Sequence, residues 1–259
     1  MFRPYALLPA WLVLGALAAC SPDGGPTRPA AATSPAASAA PDTAALRRAR
    51  QQFRVHYNAP VDLDSSAFYC VPVSVLPLEA GGRDKLLSSS SYDGYGSSSG
   101  NIIGTCYNVL FFEKETGRQR PLLPHSRFVL AEIHDANEPD SPWPYLFYTI
   151  IKADTNRDGE QNPNDASCLF VSDRAGRQLH QLTPDSTQLG SRYIIPKTSV
   201  LLVEVRPDTD HNGQFNNADV PYWLRFDLRN LGQPPARHPN DSLSNEMQQQ
   251  MLLRQIRSK

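Results

Sequence analysis

The sequence predicts a mainly β protein. Its antiparallel sheets would be built from two blade-like repeats of about 55–60 residues, as an open sandwich or a propeller-like array. A short N-terminal helix and a C-terminal helix complete the expectation. Three observations predict this. Apolar runs are short, rich in β-branched and aromatic residues, and bounded by turn residues. The 23 prolines favour turns and short strands over long helices. A strand-and-turn pattern also occurs twice. One copy holds residues 111–123 (FFEKETGRQRPLL), 126–130 (SRFVL) and 146–151. The other holds residues 170–182 (FVSDRAGRQLHQL), 191–195 (SRYII) and 200–205. Gly117 and Gly176, each followed by Arg-Gln, mark equivalent turns. Residues 224–228 would begin a third copy before the chain becomes rich in proline.

Residues 1–20 read as a targeting segment. Arg3 supplies a charged start, residues 6–16 are mostly apolar, and small residues precede Cys20. The segment resembles a bacterial lipoprotein signal with its lipobox. That resemblance implies cleavage before Cys20 and its acylation, palmitate included. Ser21 stands where Asp would favour inner-membrane retention, so the resemblance points to the outer membrane. Residues 21–42 read as a disordered Ala/Pro/Ser tether that cannot bury a core. Its reach is roughly 25 Å.

Residues 43–235 read as the β-rich domain. Residues 43–56 read as a helix, with Leu46, Ala49 and Phe53 on one face. Residues 67–78 read as a strand that Pro72 pushes toward a sheet edge, and 108–112 as another. Residues 88–100, dominated by Ser, Tyr and Gly, read as a linker or binding loop. Residues 236–259 read as a helical segment. Asp241 or Ser242 would cap it, Met247, Met251 and Ile256 form a partial apolar stripe, and basic residues suit its C-terminal end.

Two loops share one carboxylate spelling. The first is residues 154–165 (DTNRDGEQNPND) and the second residues 208–219 (DTDHNGQFNNAD). The first offers Asp154, Asn156, Asp158, Glu160, Asn162 and Asp165. The second offers Asp208, Asp210, Asn212, Gln214, Asn216 and Asp219. This is the ligand order of an EF-hand-type calcium loop, with position 7 contributing its backbone carbonyl and glycine at position 6 making the sharp turn. Asp at position 12, where an EF-hand has Glu, is similar to dockerin-type loops. The flanking residues read as strands, so these are strand–loop–strand sites, and a helix-opening sensor is disfavoured. One or two Ca2+ ions are the expected cofactor. Magnesium fits less well, because it keeps more of its waters and demands a stricter octahedron.

The strand-plus-turn phrasing of residues 106–230 resembles blades of TolB-like periplasmic β-propellers. Two units and a fragment fall short of a ring of four or more blades. The whole chain resembles a set of bacterial envelope lipoproteins with EF-hand-like loops, which implies a location and a metal but no activity. An exported chain can form disulfides, and Cys70–Cys106 is a candidate pair beside the alternative of reduced, buried thiols.

A net charge of −1 gives no basic footprint for nucleic acid. The chain lacks the Gly-x-Ser-x-Gly elbow and the His-Glu-x-x-His helix, and its histidines show no ligand spacing. The expected function is therefore non-enzymatic. It is an exported, lipid-anchored calcium-binding β-domain acting as a binding or scaffolding module in the envelope. Its partners would be the membrane, through Cys20, and an envelope protein or glycan. The alternatives are a propeller-like envelope-assembly protein, or a hydrolase acting on carbohydrate or peptide.

Overall fold

A computed structural model describes residues 42–63, 66–78, 102–138, 141–185 and 187–257. The leader with Cys20, residues 21–41 of the tether and the segment 88–100 lie outside the described residues. Thirteen strands and two helices follow one another among the described residues. They are α1 (Thr43–Gln52), β1 (Phe53–Tyr57), β2 (Val61–Asp62), β3 (Phe68–Pro77), β4 (Thr105–Glu113) and β5 (Gln119–Pro121). Then come β6 (Val129–Glu138), β7 (Ser141–Ile151), β8 (Ser167–Asp173), β9 (His180–Gln181) and β10 (Thr187–Ile194). β11 (Val200–Pro207), β12 (Tyr222–Asp227), β13 (Ala236–His238) and α2 (Asp241–Arg257) complete the order.

The strands form three antiparallel sheets, ordered β1-β3-β4-β5 with β2 beside β3, β6-β7-β8-β9, and β10-β11-β12-β13. The second and third are simple meanders, and none of the three closes into a barrel. This is the mainly β, open architecture that the sequence predicts. The two sequence copies are out of step with the sheets: the first runs through β4 and β5 of the first sheet into β6 and β7 of the second, and the other through β8 and β9 of the second into β10 and β11 of the third. The boundary drawn at residue 235 also moves, because β13 pairs with β12 through Leu224↔Arg237.

The middle sheet is buried on both faces, which explains why β8 reads as an unbroken apolar run instead of an alternating one. Leu146, Tyr148, Ile150, Cys168 and Phe170 pack with Cys70, Val109 and Phe111 of the first sheet. Phe147, Leu169 and Val171 pack with Leu201, Val203, Val205, Leu224 and Phe226 of the third. In β11 burial alternates, as expected for a strand with one face on the core. Counted from the loops, Phe147 and Leu201 are equivalent positions. Equivalent faces of the second and third sheets therefore meet, and their β7–β8 and β11–β12 loops emerge together.

Four expectations are corrected. The N-terminal helix stops at Gln52, not at residue 56, because residues 53–57 pair with β3 from Phe53↔Pro77 to Tyr57↔Val73. Pro72 lies in a strand with neighbours on both sides, not at an edge. The β1 and β2 ladders leave a gap opposite it, where its missing N–H needs no acceptor. Asn58 fills that gap, donating its backbone N–H and its Nδ2 to the Pro72 carbonyl at 2.9 and 3.3 Å. Asn240 caps α2, accepting the Leu243 N–H at 2.9 Å, in place of Asp241 or Ser242.

The fourth concerns the cysteines. Cys70 and Cys106 are not bridged to each other, and they stand opposite Phe111 and Ser74 respectively. Four strand positions, roughly 13 Å at the usual rise, separate them, well beyond the span a disulfide bridges. Burial pushes the Cys106 thiol up to about 11, so it stays protonated at neutral pH.

The apolar residues of α2 stay outside the core, with Leu243, Met251, Leu252, Leu253 and Ile256 all exposed. No helix among the described residues is long and apolar enough to cross a membrane.

Candidate metal centre

Each loop is the hairpin connection between two central strands, and its ends are held in register. Ile151 pairs with Ser167 below the first loop, and Val205 with Tyr222 below the second. Within that frame the two loops repeat the same hydrogen bonds. The position-1 carboxylates accept the position-6 glycine N–H, Gly159 to Asp154 and Gly213 to Asp208, both at 2.9 Å. Asn156 and Asp210 at position 3 accept the N–H of position 5, at 2.9 and 3.3 Å. Asp158 and Asn212 at position 5 accept the N–H of position 7, at 2.9 and 2.6 Å. Asn162 and Asn216 at position 9 accept the N–H of position 11, both at 2.8 Å.

Position 12 closes each loop from inside. Asp165 is 1 % exposed and accepts N–H groups from Thr155 (2.7 Å), Asn162 (2.9 Å) and Asn156 (3.2 Å). The Thr155 hydroxyl adds a fourth bond at 3.3 Å. Asp219 is equally buried and accepts the Thr209 and Asn216 N–H groups at 2.9 and 3.1 Å. Burial alone would raise the Asp165 pKa. The Asn162, Asn156 and Thr155 donors outweigh it and hold the carboxyl below its ordinary value. The Thr209 and Asn216 donors do the same for Asp219. Both groups are therefore anionic at neutral pH.

The turns need left-handed backbone at two places, positions 4 and 6. Gly159 and Gly213 sit at φ 89° and 76°, where glycine alone meets no steric cost. Arg157 and His211, both at position 4, also take positive φ, 60° and 58°. The same pair of non-glycine exceptions in both loops shows that one backbone path is enforced twice.

The carboxylates converge. Asp208, Asp210 and Asp219 each bring an oxygen within 4.8 Å of the others. In the first loop Asp154 Oδ1 is buried and has no hydrogen-bond partner. A buried, unpaired carboxylate oxygen is costly unless a cation or donor reaches it. Asn156 Nδ2 meets Asp158 Oδ2 at 3.0 Å, and Asn212 Nδ2 meets Asp210 Oδ2 at 2.8 Å, which keeps positions 3 and 5 on one side of each loop. The Glu160 and Gln214 side chains are exposed, consistent with position 7 offering its carbonyl alone. Oxygen donors with several carboxylates per loop fit a hard cation such as calcium.

Between the loops lies a cleft of about 340 Å³, lined among others by Asp154, Arg157, Asp208, His211 and Phe215. His211 is exposed and lines this cleft. Thr155 and Thr209 escaped the sequence reading, although the repeated Asp-Thr spelling held the signal. They are no ligands in the motif, yet their N–H groups anchor both position-12 carboxylates. The sequence matches no protein-family model and no curated protein.

Proposed function

We propose that this protein is an exported calcium-binding β-domain, held to the envelope through lipid on Cys20, that serves there as a binding or scaffolding module. The metal reading rests above all on Asp154 Oδ1, a buried carboxylate oxygen without a partner at the first ligand position of its loop. The convergence of Asp208, Asp210 and Asp219 supports it in the second loop. Each loop closes a hairpin between the central strands of a sheet. An ion there would tie two strands together and relieve repulsion among the carboxylates, favouring the folded state by mass action. Sites of moderate affinity suit an exported protein, because free calcium is plentiful outside the cytosol. The anchor, the tether and the envelope location come from the sequence of residues 1–42.

Thermal unfolding in calcium and in chelator tests the metal reading. At about 100 times the dissociation constant one ion adds roughly 2.7 kcal/mol. For a domain of this size that raises the midpoint by about 5–10 °C. Asp154→Ala and Asp208→Ala are each expected to remove about half of the total gain. A midpoint indifferent to calcium would leave the loops as plain turns.

A further inference from the structure

The two loops touch through backbone, and that contact joins the ligand set of one to the ligand set of the other. Gly213 lies with its Cα against the Thr155 carbonyl, so closely that a Cβ there would collide with the Thr155 oxygen. Gly159 holds the same position in the first loop and has nothing within 4 Å of an added Cβ. Gly213 is therefore required for its approach to the first loop as well as for its positive φ. On one side of the contact, the Gly213 N–H donates to Asp208 Oδ2 at 2.9 Å. On the other, the Thr155 N–H donates to Asp165 Oδ1 at 2.7 Å, and the Thr155 hydroxyl accepts the Ala166 N–H at 2.8 Å. The path from the first ligand of loop two to the last ligand of loop one is thus two hydrogen bonds and one van der Waals contact.

We propose that the loops bind calcium as a coupled pair, with the Thr155–Gly213 contact as the link and Thr155 as its positioning residue. This rests on the metal reading above. An ion in the second loop draws on Asp208 and so fixes Gly213. Gly213 then fixes Thr155, and Thr155 holds Asp165 in place for an ion in the first loop. The ordering that the first ion imposes is already present when the second arrives, which makes the second binding tighter.

Calorimetric titration of the full-length chain with calcium chloride tests this. Asp158→Ala silences the first loop and Asp210→Ala the second. Both side chains are exposed, so the fold should survive, and circular dichroism checks that it does. The overall two-ion constant of the unaltered chain should exceed the product of the two single-loop constants by at least about fivefold. Linkage requires each loop to strengthen the other by the same factor. Gly213→Ala keeps every ligating oxygen and should reduce the overall constant to that product or below it. A ratio of one overturns the coupling and leaves the metal reading intact. An undiminished overall constant in Gly213→Ala overturns the assignment to this contact. No calcium binding in the unaltered chain overturns the metal reading and the coupling together.

Discussion

Asp165→Ala is expected to destabilise the calcium-free protein by about 3–4 kcal/mol, whereas Asp158→Ala should change it by less than about 0.5 kcal/mol. The motif makes both residues ligands, but the structure gives them different work. Asp165 is buried and receives three backbone N–H groups and one hydroxyl. Bonds to an ionised acceptor contribute about 1.5–3 kcal/mol each and are not additive. Their loss would strand partly buried donors of Thr155, Asn156 and Asn162. Asp158 is exposed, and its carboxylate serves one backbone N–H and the Asn156 side chain.

The pKa of Asp165 gives the same prediction a pH signature. Its folded value is held below the ordinary carboxylate value. Its stabilisation is thus fully present above that ordinary value and is lost as pH falls through the folded one. Asp165→Ala should therefore lose less stability on acidification than the unaltered chain. Urea unfolding in chelator, at neutral and at acid pH, measures both effects. Equal costs for the two variants would contradict a structural role for position 12.

Gly176→Ala is expected to cost about 3–4 kcal/mol, and Gly117→Ala only about 1–2 kcal/mol. The two glycines occupy matching turns and nearly identical backbone, φ 67° and 66°. A side chain in that region costs roughly 1–2 kcal/mol. Gly117 has open space around it, so nothing more is lost. At Gly176 a methyl group would run into the ring of Phe111, which is fully buried in the core between the first and second sheets. Displacing a packed ring adds about 1–3 kcal/mol. Urea unfolding of the two variants side by side reads the difference. If the costs match, the β8–β9 turn does not pack on Phe111 as described. Phe111→Leu combined with Gly176→Ala should recover part of the loss, because the smaller side chain leaves room for the methyl group.

The strands flanking the loops in the second and third sheets were legible because loop spelling and turn spelling recur together, although each sequence copy runs across two sheets. Asp154 and Asp208 fix equivalent positions, and Phe147 and Leu201 follow from them. The first sheet was not, because its β3–β4 connection lacks the carboxylate spelling and Pro72 reads as an edge marker. Only the gap between β1 and β2, filled by Asn58, reconciles that proline with a central strand. Phe53 was placed on a helix because it continues the spacing of Leu46 and Ala49. The alternation of Phe53, Val55 and Tyr57 with Arg54 and His56 was the competing signal, and pairing with β3 decided in its favour. The Cys70–Cys106 pair failed for want of register, which no cysteine count supplies. At the candidate site the ligand types and spacing were legible. The structural burden on Asp165 and Asp219, and the contact between Gly213 and Thr155, were not, since both depend on how two distant hairpins pack.

The most direct measurement is the number of calcium ions held per chain, by equilibrium dialysis of residues 43–259, which form one compact unit. The account predicts two ions for the unaltered protein, and one for each of Asp154→Ala and Asp208→Ala. Zero ions at millimolar calcium, or a count that neither substitution lowers, would contradict it.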